Sequence, residues 1–217
     1  MEDTGSSPEL LRARTSGAVL DLTGGTAAEP WRNPDAYWAS LTKAAAGIPA
    51  PAAVLEFDAL RWNTHDLVRR AGGVPLRIAS KSLRVRGVLQ SLHQVPGIAG
   101  ILAFTLAEAL WLARDFDDVV LGYPTADRQA LRRLAGDERL ASRVTLMVDG
   151  EEQLDLIDAV LPPASRCTLR ICLDADASWR SPVLGFIGTR RSPLHTPEQV
   201  AGFGRRIASR PGFQLVG

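Results

Sequence analysis

Lysine is nearly missing from this chain. Of its 25 basic side chains only Lys43 and Lys81 are lysine; the other 23 are arginine. A guanidinium does not deprotonate in proteins, so arginine cannot serve where chemistry needs a neutral amine. Cysteine is equally scarce, and two residues, Cys167 and Cys172, cannot build a disulfide framework. Their odd spacing in one apparent strand sends them to opposite faces, so they are not expected to pair. A reducing, cytoplasmic setting is the expectation. Neither sign of charge is in excess, since 25 basic against 24 acidic groups leave +1. That balance offers no field for nucleic acid or an anionic membrane surface. No apolar run approaches the roughly 18 residues of a membrane span. No HExxH or CxxC spacing supports a metal site, and no GxSxG marks a nucleophile elbow. The five tryptophans are scattered rather than arrayed as a stacking platform.

What the chain does have is apolar periodicity, with 46% hydrophobic residues and enough length for a proper core. Residues 1–29 read as a disordered tail, rich in Ser, Thr, Gly and Glu. A short helix is expected over 34–46 behind an Asn33 cap. From Pro51 onward strands and helices alternate. PAAVLEFD is a strand candidate, followed by a helix at 59–72. The further helices fall at about 83–94, 106–116, 125–136, 151–161 and 196–210, with Thr105 and Thr196 as starts. Residues 177–195 read as an irregular loop. Such alternation indicates βαβ units and a parallel sheet, either open and doubly wound or closed as a (β/α)₈ barrel. No Gly-rich phosphate loop follows the first strand, as an open nucleotide-binding sheet would require. The barrel is the expectation.

Ligands of parallel α/β folds gather at the C-terminal strand ends. Here these carry Asp58, Ser80, Lys81, Thr105, Tyr123, Asp149 and the stretch Asp174–Arg180. Lys81 stands out. An amine partly desolvated by a barrel interior has its charged form disfavoured, and the neutral amine is the form that attacks a carbonyl. A solvated or ion-paired lysine is the bland alternative. His65 and His93 fall in outer helices and His195 at a helix entry, so the three histidines make no site by sequence.

The phrase Pro51–Asn63 (PAAVLEFDALRWN), followed by LRIASKSLR, resembles the opening of the fold-type III pyridoxal phosphate enzymes, the alanine racemase N-terminal domain family. AFTLAEAL, DDVVLGYP, VTLMVDGEEQL and LRICLDADASWR fit in the same order. The lysine phrase is similar to that of the D-threonine aldolase, D-serine dehydratase and amino acid deaminase branch. Alanine racemases usually carry Ala-Tyr-Gly after the lysine, where this chain has Ser82, Leu83 and Arg84. The resemblance implies that Lys81 holds pyridoxal 5'-phosphate as an internal aldimine and then acts as acid or base at the substrate α-carbon. It implies that Arg180 contacts the cofactor's phenolic oxygen, although the family's Asp-to-Arg interval is not reproduced cleanly.

The resemblance also assigns VLEF to a second, β-rich domain and starts the barrel at LRIAS. Barrel strands are then expected at about 76–80, 98–104, 118–122, 143–148, 167–174 and 213–217, six of eight. The expectation is an incomplete (β/α)₈ barrel of the alanine racemase type over residues 30–217, truncated after six strands, with the C-terminal β-domain absent. The implied function is a lyase or racemase acting on a small amino acid, homodimeric at full length. The alternatives are a non-catalytic pyridoxal phosphate homeostasis protein, or an inactive N-terminal fragment.

Overall fold

The structure is a computed structural model that describes residues 20–24 and 29–217. The remainder of the stretch read as a tail lies outside the described residues. Two compact units divide the chain, the first running to Leu76 and including Val85–Ala99, the second comprising Arg77–Arg84 and Gly100–Gly217.

The first unit holds helix α1 (Pro34–Ala45), helix α2 (Phe57–Arg70) and, after the segment assigned to the second unit, helix α4 (Arg86–His93). Asn33 caps α1 as expected, its side chain accepting from the Ala36 amide. The strand expected over 51–58 is absent. Glu56 instead caps α2, its carboxylate accepting from the amides of Asp58 and Ala59. A side chain that satisfies two otherwise unpaired N–H groups of the first turn decides between two readings of a short apolar run. Asp58 therefore lies in a helix and not at a strand end, where it pairs with Arg61 at 3.2 Å. The tail reading also fails for residues 20–24. Leu22 is fully buried, its carbonyl lies 2.9 Å from His65 Nε2, and the Leu20 amide donates to Ser91 Oγ at 2.7 Å.

The second unit is built on strands β1 (Leu76–Ala79), β2 (Ile98–Ala103), β3 (Val119–Leu121), β4 (Val144–Val148), β5 (Leu169–Leu173) and β8 (Phe213–Leu215). Leu76, Ile98 and Ala99 group with the first unit. All six strands fall within two residues of their expected bounds. Their order in the sheet is β1-β2-β3-β4-β5-β8, and the pairs from β2 to β8 are parallel. Between β2 and β8 the crossovers carry helices α5 (Leu106–Leu112), α6 (Arg128–Ala135), α7 (Glu138–Arg143), α8 (Glu151–Val160) and α9 (Pro197–Ser209). Helix α7 is an addition to the expected set. The order follows the chain without reversal, so right-handed crossovers put every helix on one face. A doubly wound sheet would reverse direction; this arrangement is a barrel wall.

Burial follows that geometry. Ile101, Val119, Val144, Leu146 and Ile171, on the helix-facing rows, are at most 1% exposed. The other face carries the register row Leu102, Val120, Thr145, Arg170 and Gln214. At the strand entry, Arg77 reaches Asp118 through two contacts of 2.7 and 3.2 Å. A Cβ on Gly100 would lie 2.5 Å from the Asp118 carbonyl oxygen, so only glycine admits this close approach. The stretch read as an irregular loop contains an antiparallel hairpin, β6 (Trp179–Ser181) with β7 (Gly185–Ile187). Both cysteines are free thiols, and burial, the largest influence, pushes the Cys172 thiol above its ordinary value. Among the described residues, no helix is long and apolar enough to cross a membrane.

Candidate functional site

The C-terminal ends of the strands assemble a row of chemically distinct side chains. Directly after β1 the chain makes one helical turn, α3 (Ser80–Leu83), closed by the Arg84 amide donating to the Ser80 carbonyl at 2.8 Å. Ser80 turns inward, fully buried, with its hydroxyl 3.4 Å from the Leu102 carbonyl. Lys81 is the next residue and stands exposed. The expectation of a partly desolvated lysine is corrected here, because the turn lifts the side chain off the strand end into solvent. Its Nζ lies 5.1 Å from the centroid of the Phe104 ring, and it has no carboxylate partner among the described residues.

Phe104, just beyond β2, meets Tyr123, just beyond β3, edge to face at 5.5 Å. The Arg191 guanidinium lies 4.5 Å from the Tyr123 ring centroid and donates to the Gly122 carbonyl at 3.1 Å. Its Nη2 is 4.0 Å from Asp174 Oδ2, at the end of β5. One amine, two rings, one guanidinium and one carboxylate thus follow one another along the rim from β1 to β5. Thr105 is occupied as the cap of α5, accepting from the Glu108 amide at 3.2 Å. Asp149 is tied to Gln153, whose side-chain carbonyl accepts the Asp149 amide at 2.7 Å.

Arg180, the arginine that the family resemblance implies, sits on β6 with its guanidinium 5.6 Å from the Phe186 ring. Arg191 went unnoticed in the sequence. The hairpin separates Asp174 from Arg191 by 17 positions, yet the two meet in space. An arginine pair immediately before a helix entry, RRSPLHTPE, was the available signal.

Beside the rim lies a second cluster. Asp176, whose side chain is 2% exposed, faces His195 Nδ1 across 3.3 Å, and its other oxygen accepts from the Ser178 amide at 3.0 Å. The Ser178 hydroxyl also donates to it, and this bond is the largest influence holding the Asp176 carboxyl below its ordinary value. The Asp176 amide donates to the Leu194 carbonyl at 2.9 Å, which pins the two ends of the loop together.

The donor set on the rim suits pyridoxal phosphate. A primary amine, an aromatic face and a guanidinium are the groups that bind an aldehyde, a flat ring and an anionic oxygen.

No protein-family model matches the chain, and no curated protein matches it in sequence. Solved structures do. The chain is similar to D-threonine aldolase from Filomicrobium marinum, with a TM-score of 0.62 and 19% identity over 78% of this chain and 43% of that one. It is also similar to alanine racemase from E. faecalis, with a TM-score of 0.52 and 20% identity over 73% of this chain and 40% of that one. The chain therefore spans less than half the length of either. The resemblance seen in the sequence phrases holds at the level of the fold: over its six parallel strands this chain carries the α/β barrel wall of the alanine racemase type.

Proposed function

We propose that this chain is the cofactor-holding part of a pyridoxal phosphate-dependent enzyme that acts at the α-carbon of a small amino acid. Aldol cleavage, deamination and racemisation share that requirement, and a homodimer is the assembly the reading expects. The observation that carries it is Lys81: an amine with no carboxylate partner among the described residues, at the end of the first barrel strand and beside Phe104.

When bound, the cofactor supplies an electron sink for the bond that breaks at the α-carbon. Lys81 holds the cofactor and, once displaced, its Nζ takes or returns a proton at that carbon. A primary amine can do both; arginine can do neither. Arg191, held at the Gly122 carbonyl, presents its guanidinium to an anionic oxygen of cofactor or substrate. Phe104 and Tyr123 give the ring of the ligand an apolar wall.

The test is a titration of the 217-residue chain with pyridoxal phosphate, followed by the absorbance of the bound cofactor. The reading expects a saturable band that Lys81→Ala removes and Lys43→Ala keeps. A band unchanged in Lys81→Ala overturns it.

A further inference from the structure

Phe186, on the hairpin that follows β5, gathers positive charge. The guanidinium of Arg180 lies 5.6 Å from its ring centroid and that of Arg190 lies 4.6 Å away. Neither has a carboxylate partner among the described residues. Arg191 is the next residue in the chain and is only 45% exposed, committed to Gly122 and Tyr123 on one side. Like charges gathered without counter-ions repel one another, and the fold gains nothing from holding them so unless an anion joins them.

The cluster is supported from beneath. His195 meets Phe186 edge to face at 5.9 Å, and the buried Asp176 faces its Nδ1. Asp176 is itself fixed by Ser178 and by the Leu194 carbonyl. A buried carboxylate lies 3.3 Å from a histidine that abuts an aromatic ring bearing two arginines, and this is a built arrangement. Arg190 also adopts a left-handed backbone, with φ of 51°, a conformation that a long side chain pays for and glycine does not. Strain of this kind persists where the direction of the side chain matters.

Of these groups Phe186, Arg190, Arg191 and His195, with Ser192 and Pro193, line a cleft of about 510 Å³; Arg180 stands outside that lining, on the Phe186 ring. No acidic residue lines it. We infer that this cleft, which shares Arg191 with the rim, is an oxyanion-binding site that takes a carboxylate or phosphate group. Two sources share that chemistry: the side-chain carboxylate of an acidic amino-acid substrate, and a phosphate. Identifying the ligand as a substrate rests on the proposed function; the site itself does not.

The experiment titrates the full chain with succinate and, separately, with inorganic phosphate, with 1,4-diaminobutane as the cationic control. Binding is followed by calorimetry and by the imidazole resonances of His195. The expected result is saturable, salt-sensitive binding of one anion and none of the diamine; the anion preferred identifies the source. Arg190→Gly removes the guanidinium while suiting the left-handed backbone, so its melting temperature should not fall. Its anion affinity should drop by about tenfold or more, the weight of one charge-assisted hydrogen bond. Arg180→Ala removes a charge outside the lining but 5.6 Å from the Phe186 ring, and should weaken binding less than Arg190→Gly. The inference is overturned if neither anion binds at millimolar concentration, or if both variants bind as tightly as the parent. Pyridoxal phosphate absorbance with Lys81 intact is read on the same samples. A normal band without anion binding overturns this inference alone; anion binding without a band overturns the proposed function alone.

Discussion

Replacing Arg191 by alanine removes the tie between the β3 and β5 ends of the rim. The lost contacts are the hydrogen bond to the Gly122 carbonyl at 3.1 Å, the stacking on Tyr123 at 4.5 Å and the approach to Asp174 at 4.0 Å. A hydrogen bond from a charged donor is worth about 1.5–3 kcal/mol, and half-exposure reduces that to about 1 kcal/mol. Stacking at an exposed site adds about 0.5–1 kcal/mol, while an ion pair at this distance and exposure adds close to nothing. The expected loss is about 1.5–2 kcal/mol, a fall of roughly 3–8 °C in melting temperature for a chain of this size. Urea denaturation of parent, Arg191→Ala and Arg191→Lys measures it. An ammonium cannot lie flat on Tyr123 and reach Gly122 together, so lysine should recover less than half of the loss. A loss below about 0.5 kcal/mol, the scale of an ordinary surface substitution, refutes the assignment of Arg191 as the rim's tie. Full rescue by lysine refutes the account of its geometry.

Gly100→Ala should cost about 2–3 kcal/mol, because the added methyl group meets the Asp118 carbonyl at 2.5 Å. Arg77→Ala, which removes only a half-exposed partner of Asp118, should cost less than about 1 kcal/mol; equal losses in urea melts would show that the ion pair, not the strand approach, sets the cost. Asp176→Asn should lower the melting temperature at neutral pH. The Asp176 carboxyl is held below its ordinary value by Ser178 first and His195 after it, so its contribution is present above about pH 4 and disappears as pH falls through the lowered value. The gap between parent and variant should therefore close under acid; a gap that widens there contradicts the assignment.

The barrel wall was legible because its strands carry long apolar residues on the helix-facing side, and Ile101, Val119 and Ile171 leave no other reading. Caps were legible for the same local reason, with Asn33, Thr105 and Thr196 each accepting an amide of the first turn. VLEF misled because a short apolar run resembles a strand, while here residues 54–56 take no regular structure and only Phe57 enters α2, behind the Glu56 cap. Leu22 sits in a polar stretch whose composition hides one buried leucine and a carbonyl placed by His65. At the site, Lys81 could be found by its rarity and its strand-end position. Its exposure could not, since that depends on the turn α3. Arg191 was hidden by counting: distance along the chain runs through a hairpin, and only across it does Arg191 come within 4.0 Å of Asp174.

The central claim is that Lys81 holds the cofactor, and the scarcity of lysine makes the decisive measurement simple. The chain is incubated with pyridoxal phosphate, reduced with borohydride and digested, and the peptides are weighed. Only Lys43, Lys81 and the amino terminus can carry the added mass. The account predicts that it lies on Lys81 at stoichiometric cofactor. Label spread evenly between Lys81 and Lys43, or confined to Lys43, contradicts it.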